Sequence, residues 1–465
     1  MKIAFHGAAR AVTGSKHLIT LKNNTQILLD CGLFQGMGDL TEGLNESFGF
    51  DPSLVSYLIL SHAHIDHCGL LPRLVAEGFK GNIYCTPATM DLARILLMDS
   101  AKIQTQDAEY ANKKMRQGGE PELPLYNEKD VIQTLSQFKV VNYNEDFQIA
   151  PDVVLHFTDA GHIVGSAAVH LKLKEEERTI NLTFSGDVGR YGDLLLKSPQ
   201  SFPQADYVIM ESTYGDSLHQ DLEPIEETLK EIIHQTCILK KGKVIIPAFS
   251  VGRTQELLYA LNAMELKNNL PDVQYYVDSP LSLQATEVLR NHPEVYNNGV
   301  KEVMKVDKDI FGFKGLKFVE SVEESKALNS DPRPCVIISS SGMAEGGRVK
   351  HHIRNNIGDQ KNTILMVGYA EPRSLAGKLL AGQPKVWLFG QEYGVVADIR
   401  SIRSMSAHGD YEDLLQFLSG QNPNLIKQIF LVHGEYKVQQ IFAGHLNDKG
   451  FHQVTIPEYH QEFEV

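Results

Sequence analysis

Cysteine is scarce in this chain and never paired in sequence. Of 465 residues only Cys31, Cys68, Cys85, Cys237 and Cys335 are cysteines, and no two form a Cys-x-x-Cys motif. An odd, dispersed set reads as reduced thiols in the cytoplasm. Long apolar runs are also missing. None approaches the ~18 residues of a membrane helix, so no membrane partner is expected. The opening Met1-Lys2-Ile3-Ala4-Phe5-His6 lacks a sustained apolar segment, which argues against a signal peptide. Positive charge is in deficit. A formal net charge of -14 excludes a surface coated in cations for non-specific duplex binding, while leaving room for a local basic cleft. No obvious repeat or low-complexity tract interrupts the chain.

What is present suits a large soluble protein. Apolar residues make up 42% and charged residues 22%, and 465 residues imply two or three domains. The organising stretch is Ser61-His62-Ala63-His64-Ile65-Asp66-His67-Cys68-Gly69. Ser56 to Leu60 before it reads as a buried strand. Leu70 to Val75 after it opens a helix, with Pro72 tolerated in the first turn. Strand-to-helix loops are where α/β folds place chemistry. A lone loop histidine is ordinarily solvated or hydrogen-bonded. Three histidines and an aspartate between positions 62 and 67 have no structural benefit without a cation. Imidazole nitrogen and carboxylate oxygen are ligands that zinc takes.

The rest of the chain repeats one pattern, a strand followed by a loop bearing an acid or a histidine. Early strands at 3–5 and 18–21 flank the Gly-bounded connector Gly7 to Ser15. Gln26 to Leu29 ends in Asp30, which either orients a ligating histidine or closes a strand-end turn. A helix over 86–117 is broken by the Gly/Pro stretch 118–126. Later strands lead into His162, Asp187 and Glu211. After residue 215 strands and helices alternate through strands at 243–247, 274–277, 335–339, 363–367 and 385–388, which predicts a second α/β domain with a mostly parallel sheet. Near residue 400 the texture reverts. His408 precedes a helix over 410–419, and a strand at 428–432 ends in His433.

His62, His64, Asp66, His67, His162, Asp187 and His433 are too many ligands for one tetrahedral zinc and fit two ions sharing a carboxylate. Such a pair suits in-line attack on a phosphodiester by metal-activated hydroxide. The other histidines show no ligand spacing, and His351-His352 lie within a predicted helix.

His62-x-His64-x-Asp66-His67, with His162 and Asp187 downstream, resembles the metallo-β-lactamase superfamily. Glu211 in Glu-Ser-Thr-Tyr-Gly, His408 in Ser-Ala-His and His433 in Val-His-Gly-Glu resemble the A, B and C motifs of its β-CASP nuclease branch. That branch includes the endonuclease of pre-mRNA 3′-end processing, its archaeal and bacterial relatives, and the more distant RNase J. Phe249 to Glu256, Ser339 to Met343 and Gly368-Tyr369-Ala370 add further matches. The resemblance covers essentially the whole chain. It implies an α/β fold: an αββα metallo-β-lactamase sandwich (residues 1–212 and 399–465) with an inserted β-CASP domain (213–398) and an active site in the cleft between them. It implies one zinc held by His62, His64 and His162, a second by Asp66, His67 and His433, and Asp187 as the bridge. Manganese is the alternative metal.

Asp66, Glu211 and His408 are the expected catalytic residues. A leaving 3′-oxygen needs a proton, and a histidine oriented by a carboxylate supplies one, so His408 is assigned as general acid with Glu211 as its orienting partner. Asp66 is first a ligand and can also position water. Arg253 and the loop Ser339, Ser340, Ser341 and Gly342 are expected substrate contacts, because such loops cradle phosphate. The expected activity is a dizinc endoribonuclease acting on single-stranded RNA. Alternatives are a 5′-3′ exoribonuclease, a DNA nuclease, a non-catalytic RNA-binding scaffold and a small-molecule ester hydrolase. A homodimer is left open. The sequence shows neither the extra C-terminal domain of the eukaryotic subunit and RNase J nor N-terminal RNA-binding domains, so a minimal bacterial-type member is expected.

Overall fold

The structure is a computed structural model that describes residues 1–36, 40–114, 121–219, 225–368, 370–402 and 405–465. Residues 115–120 of the expected helix end and break, Tyr369 of the Gly-Tyr-Ala match, and Arg403-Ser404 lie outside the described residues. The chain forms two compact units. One joins Met1–Leu218 to His408–Val465, and the other is His219–Ala407.

The first unit is built on two seven-stranded sheets. In the first the order is Gln461–Glu464, Lys2–Phe5, His17–Thr20, Gln26–Leu29, Tyr57–Ile59, Asn82–Cys85, Phe138–Val140. In the second it is Val454–Thr455, Gln428–Leu431, Tyr207–Met210, Arg178–Phe184, Ala167–Glu175, Val153–Asp159, Phe147–Ala150. Side chains alternate faces along a strand. Ile27, Leu29, Ile59 and Tyr84 of the first sheet therefore share one core with Leu155, Phe157, Val169, Phe184 and Ile209 of the second. Val208, Met210, Ile429 and Leu431 point the other way, onto the helices Tyr411–Phe417 and Tyr436–Asp448. On the far side, helix Pro87–Lys114 packs on Glu128–Leu135 and on the strand Phe138–Val140. The result is the expected αββα sandwich.

Strand direction is what positions the site. Arg178–Phe184, Tyr207–Met210 and Gln428–Leu431 pair in parallel. Val153–Asp159 reaches the same direction through two antiparallel pairings. Four strands therefore end at one edge, and beyond them come His162, Asp187, Glu211 and His433. Gln26–Leu29 and Tyr57–Ile59 are likewise parallel and deliver Asp30 and the 62–67 cluster.

The second unit holds a six-stranded sheet in the order Leu316–Phe318, Gln274–Val277, Cys335–Ser339, Lys243–Pro247, Thr363–Val367, Asp398–Ile402, parallel throughout. The expected strand at 385–388 is outside it. Lys385–Leu388 pairs only with Gln391–Gly394, as an antiparallel hairpin. Asp398–Ile402 pairs with Thr363–Val367, and the first compact unit resumes at His408. No helix among the described residues is long and apolar enough to cross a membrane.

Candidate metal centre

The 62–67 cluster is held by a one-turn helix, Ile65–Cys68, with His64 at its N-cap. The backbone N–H groups of His67 and Cys68 both donate to the His64 carbonyl, at 2.9 Å each. Asp66 and His67 emerge from this turn. Gly32 is required beside it, because a Cβ there would lie 1.6 Å from the Asp66 carbonyl oxygen. Asp30 and His433 adopt left-handed backbone, with φ of 58° and 49°. Non-glycine residues rarely hold that conformation, and it concentrates at functional sites.

Two groups of ligand-type atoms converge. Around His64 Nδ1 lie His62 Nε2 and His162 Nε2, each at 3.1 Å. Asp187 Oδ2 stands 3.5 Å from both of those Nε2 atoms. In the second group His433 Nε2 lies 3.3 Å from His67 Nε2 and 3.3 Å from Asp66 Oδ2. Asp187 Oδ2 is also 3.3 Å from His67 Nε2, so one carboxylate borders both groups. Zinc–nitrogen bonds of about 2.0–2.1 Å put the vertices of a tetrahedral site roughly 3.3 Å apart. The donor atoms stand near that separation, and Asp187 Oδ1 is buried without a hydrogen-bond partner. The residues fit a metal-binding site.

Electrostatics point the same way. Burial holds the His62 pKa well below its ordinary value and that of His64 at about 4, so both rings are neutral and offer lone pairs. Burial also opposes charge on His67, but Asp187, Asp66 and Asp30 outweigh it and raise its pKa well above normal. A carboxylate-rich buried pocket that draws protons onto imidazole is one that a divalent cation would neutralise.

Three side chains set which nitrogen faces the centre. Asp30 Oδ2 lies 2.7 Å from His67 Nδ1, and Asp30 Oδ1 accepts from the Ser61 N–H at 2.7 Å. Ser61 Oγ donates to Asp30 Oδ2 at 2.8 Å, so it accepts from His62 Nδ1, 3.0 Å away. Thr213 Oγ1 donates to the His433 carbonyl and accepts from His433 Nδ1, both at 3.1 Å. With Nδ1 protonated, Nε2 of each ring is left as the donor to a metal. Asp30 is legible in the sequence from its strand-end position. Ser61 and Thr213 are not, although each adjoins a motif residue.

His408 stands beside this centre. Its Nδ1 is 3.1 Å from both oxygens of Glu211, and its Nε2 is 4.0 Å from Asp187 Oδ2. Glu211 is fully buried and accepts from the Val188 and Thr213 N–H groups. Burial lowers the His408 pKa, but Glu211, then Asp187 and Asp66, outweigh it and lift it to about 9.

Comparison with known proteins decides the family. The chain matches the metallo-beta-lactamase superfamily domain over residues 18–185, the Beta-Casp domain over 254–379, and the Zn-dependent metallo-hydrolase RNA specificity domain over 392–457. Ribonuclease TTHA0252 of Thermus thermophilus is 35% identical, with 94% of this chain aligned to 93% of that protein. An RNase J-like protein of Methanocaldococcus jannaschii is 30% identical over 95% of this chain and 94% of its own. Transcription termination factor FttA of Methanosarcina mazei is 29% identical over 94% of this chain and 67% of its own. The chain belongs to the β-CASP family of metallo-β-lactamase hydrolases. A solved protein of unknown function from Enterococcus faecalis shares the fold, with a TM-score of 0.52 over 99% of both chains at 12% identity.

Within this β-CASP chain, the expected substrate contacts belong to the second unit and the metal-ligand groups to the first. Arg253 is buried and ion-paired with Glu256. Ser339 is buried and donates to the Asp278 carbonyl at 2.8 Å, and Ser340 donates to Ser279 Oγ at 3.0 Å. Ser341 is half-buried. A Cβ on Gly342 would lie 2.7 Å from the Phe249 ring.

Proposed function

We propose that the protein is a two-zinc ribonuclease that cuts single-stranded RNA internally. The observation that carries this reading is the His408–Glu211 pair, directed at the same Asp187 that borders both ligand groups. His62, His64 and His162 would hold one ion, Asp66, His67 and His433 the other, and Asp187 would bridge them. When bound, the ions supply Lewis acidity to the phosphodiester and lower the pKa of water, and manganese is the alternative to zinc. Glu211 fixes His408 through Nδ1, which leaves Nε2–H for the leaving 3′-oxygen. A water oxygen bonds to phosphorus and gives up a proton to solvent as the P–O3′ bond breaks and the Nε2 proton of His408 moves to O3′, leaving a 3′-hydroxyl and a 5′-phosphate. Asp66 keeps a carboxylate beside the reacting centre, where it can also orient water. Ser341 and Gly342 offer backbone to a phosphate. Five buried, free cysteines support a reducing, cytoplasmic setting.

The test is cleavage of matched RNA and DNA oligonucleotides with 5′-hydroxyl or 5′-monophosphate ends, alongside zinc content. Internal cuts in RNA that vanish in Asp187→Ala are expected. No cleavage by protein carrying two zincs would overturn the proposal in favour of an RNA-binding scaffold. Stepwise loss from a 5′-monophosphate end would replace internal cutting with exonuclease action, and equal cutting of DNA would remove the RNA assignment. His408→Ala is expected to lose about 10²–10⁴-fold in kcat on RNA. It should lose far less on bis(p-nitrophenyl) phosphate, whose leaving group needs no proton. Equal losses on both would refute the general-acid role.

A further inference from the structure

The hairpin of the second unit has no part in the metal centre, yet it carries the only tryptophan in the chain. Strand Lys385–Leu388 buries Val386 and Leu388 and turns Lys385 and Trp387 outward. Trp387 is 70% exposed and Phe389 47%. One exposed aromatic is ordinary. Two on a single hairpin, Trp387 in a strand and Phe389 in the turn that follows, concentrate exposed aromatic surface there. The turn itself is unusual, with φ of 51° at Phe389 and 77° at Gly390. Two-residue turns with both φ values positive favour Asn-Gly. A phenylalanine there is strained where asparagine is not, and a strained residue held at an exposed tip points to a use for its ring.

The surroundings are cationic. The Phe389 ring stacks on His351 with centroids 4.4 Å apart. The Arg354 guanidinium lies 5.2 Å and the Lys350 ammonium 5.7 Å from its centre. Next to them Lys350, Lys378, Lys385 and Trp387 border a cavity of about 130 Å³. Glu392 pairs with Lys385 at 2.8 Å, and Glu345, which accepts from the Leu375 N–H, is one carboxylate against three further cations. Lys350, Arg354 and Lys378 thus form a local positive patch on a chain whose net charge is -14. Flat aromatic faces with flanking cations are the chemistry that holds single-stranded nucleic acid, because every base has a π-face and every linkage a negative phosphate.

We infer that this patch is a second contact for single-stranded RNA, with Trp387 and Phe389 stacking bases and Lys350, Arg354 and Lys378 holding phosphates. The inference rests on the RNA reading above and extends it. Binding there adds affinity for long single strands without any new contact at the metal centre.

Because Trp387 is the only tryptophan, its emission reports on this patch alone. Full-length Asp187→Ala protein is titrated with oligouridine of about 12 nucleotides, within the usual footprint of single-strand binding sites. Quenching of the emission is expected, weaker as salt rises, and absent with duplex RNA of equal length. Lys350→Glu/Lys378→Glu protein with an unchanged Tm should bind at least tenfold more weakly. In metal-loaded protein with the native centre, Phe389→Ala should raise KM for long RNA and leave the cleavage of short oligonucleotides unchanged. No quenching up to about 100 µM RNA at physiological salt would overturn the inference. So would emission that shifts with protein concentration instead of RNA, which marks a face for a second copy. RNA cleavage without quenching sinks this inference and leaves the ribonuclease reading standing. Quenching without cleavage does the reverse.

Discussion

Replacing Thr213 by valine should weaken one metal site and spare the other. The side chains have the same shape, so the change is one of hydrogen bonding. The Thr213 hydroxyl serves two groups of His433, its Nδ1–H and its carbonyl, each at 3.1 Å. His433 is buried, and valine leaves its Nδ1–H without that partner, while its carbonyl still accepts from the Ser212 N–H at 3.2 Å. An unsatisfied buried polar group costs about 1–3 kcal/mol, and the half-buried Thr213 position favours the lower end. Removing a contact that orients a ligating histidine costs about 10–100-fold in metal affinity. At about 1.4 kcal/mol per tenfold that is about 1.4–2.8 kcal/mol, so the two routes agree. The Thr213 N–H still donates to Glu211, so the His408 arrangement survives. Zinc titration against a chromophoric chelator should show two strong sites in the native protein. In Thr213→Val one of them should fall about 10–100-fold. Thr213→Ser should restore it. The Thr213 hydroxyl serves His433, so the group of His62, His64 and His162 should hold its ion as before. An equal loss at both sites, or at neither, would refute the reasoning.

Lys16 gives a prediction for pH. It is fully buried, donates to the Gly14 and Gly32 carbonyls at 3.0 and 2.8 Å, and burial lowers its pKa from 10.5 to about 8. A base with a depressed folded pKa binds fewer protons when folded, so its contribution is full above pH 10.5 and is lost as pH falls through about 8. Native protein should gain about 3 kcal/mol against urea across that window, a gain that Lys16→Met lacks. Parallel pH profiles for the two proteins would refute it. Arg253→Met should lower stability by up to about 3–5 kcal/mol, because it removes one partner of the buried Arg253–Glu256 ion pair. A raised KM for RNA with an unchanged Tm would instead assign Arg253 to the substrate.

Much of the site is legible residue by residue. His62 to His67 declare themselves because six adjacent positions concentrate bases that only a cation would bring together. His162, Asp187, Glu211 and His433 are each visible as an acid or histidine closing an apolar run. The second domain's strands are equally plain where the sheet is central: Val336, Ile337 and Ile338 are covered on both faces and so form an unbroken apolar stretch. The edge strands hide. Asp398–Ile402 is largely half-exposed, and Leu316–Phe318 is three residues long, too short to express a period.

Residue chemistry and local periodicity live within short windows, so sequence is enough for the element types, the metal-binding character of the chain and its kinship. Proximity is another matter. His67 and His433 are 366 positions apart and meet at 3.3 Å because two sheets fix their registers independently. The same holds for the single carboxylate of Asp187 that borders both groups, and for the Thr213 hydroxyl that selects a nitrogen of His433. Such pairings depend on strand order and direction, which sum contacts across the whole chain and leave no local trace.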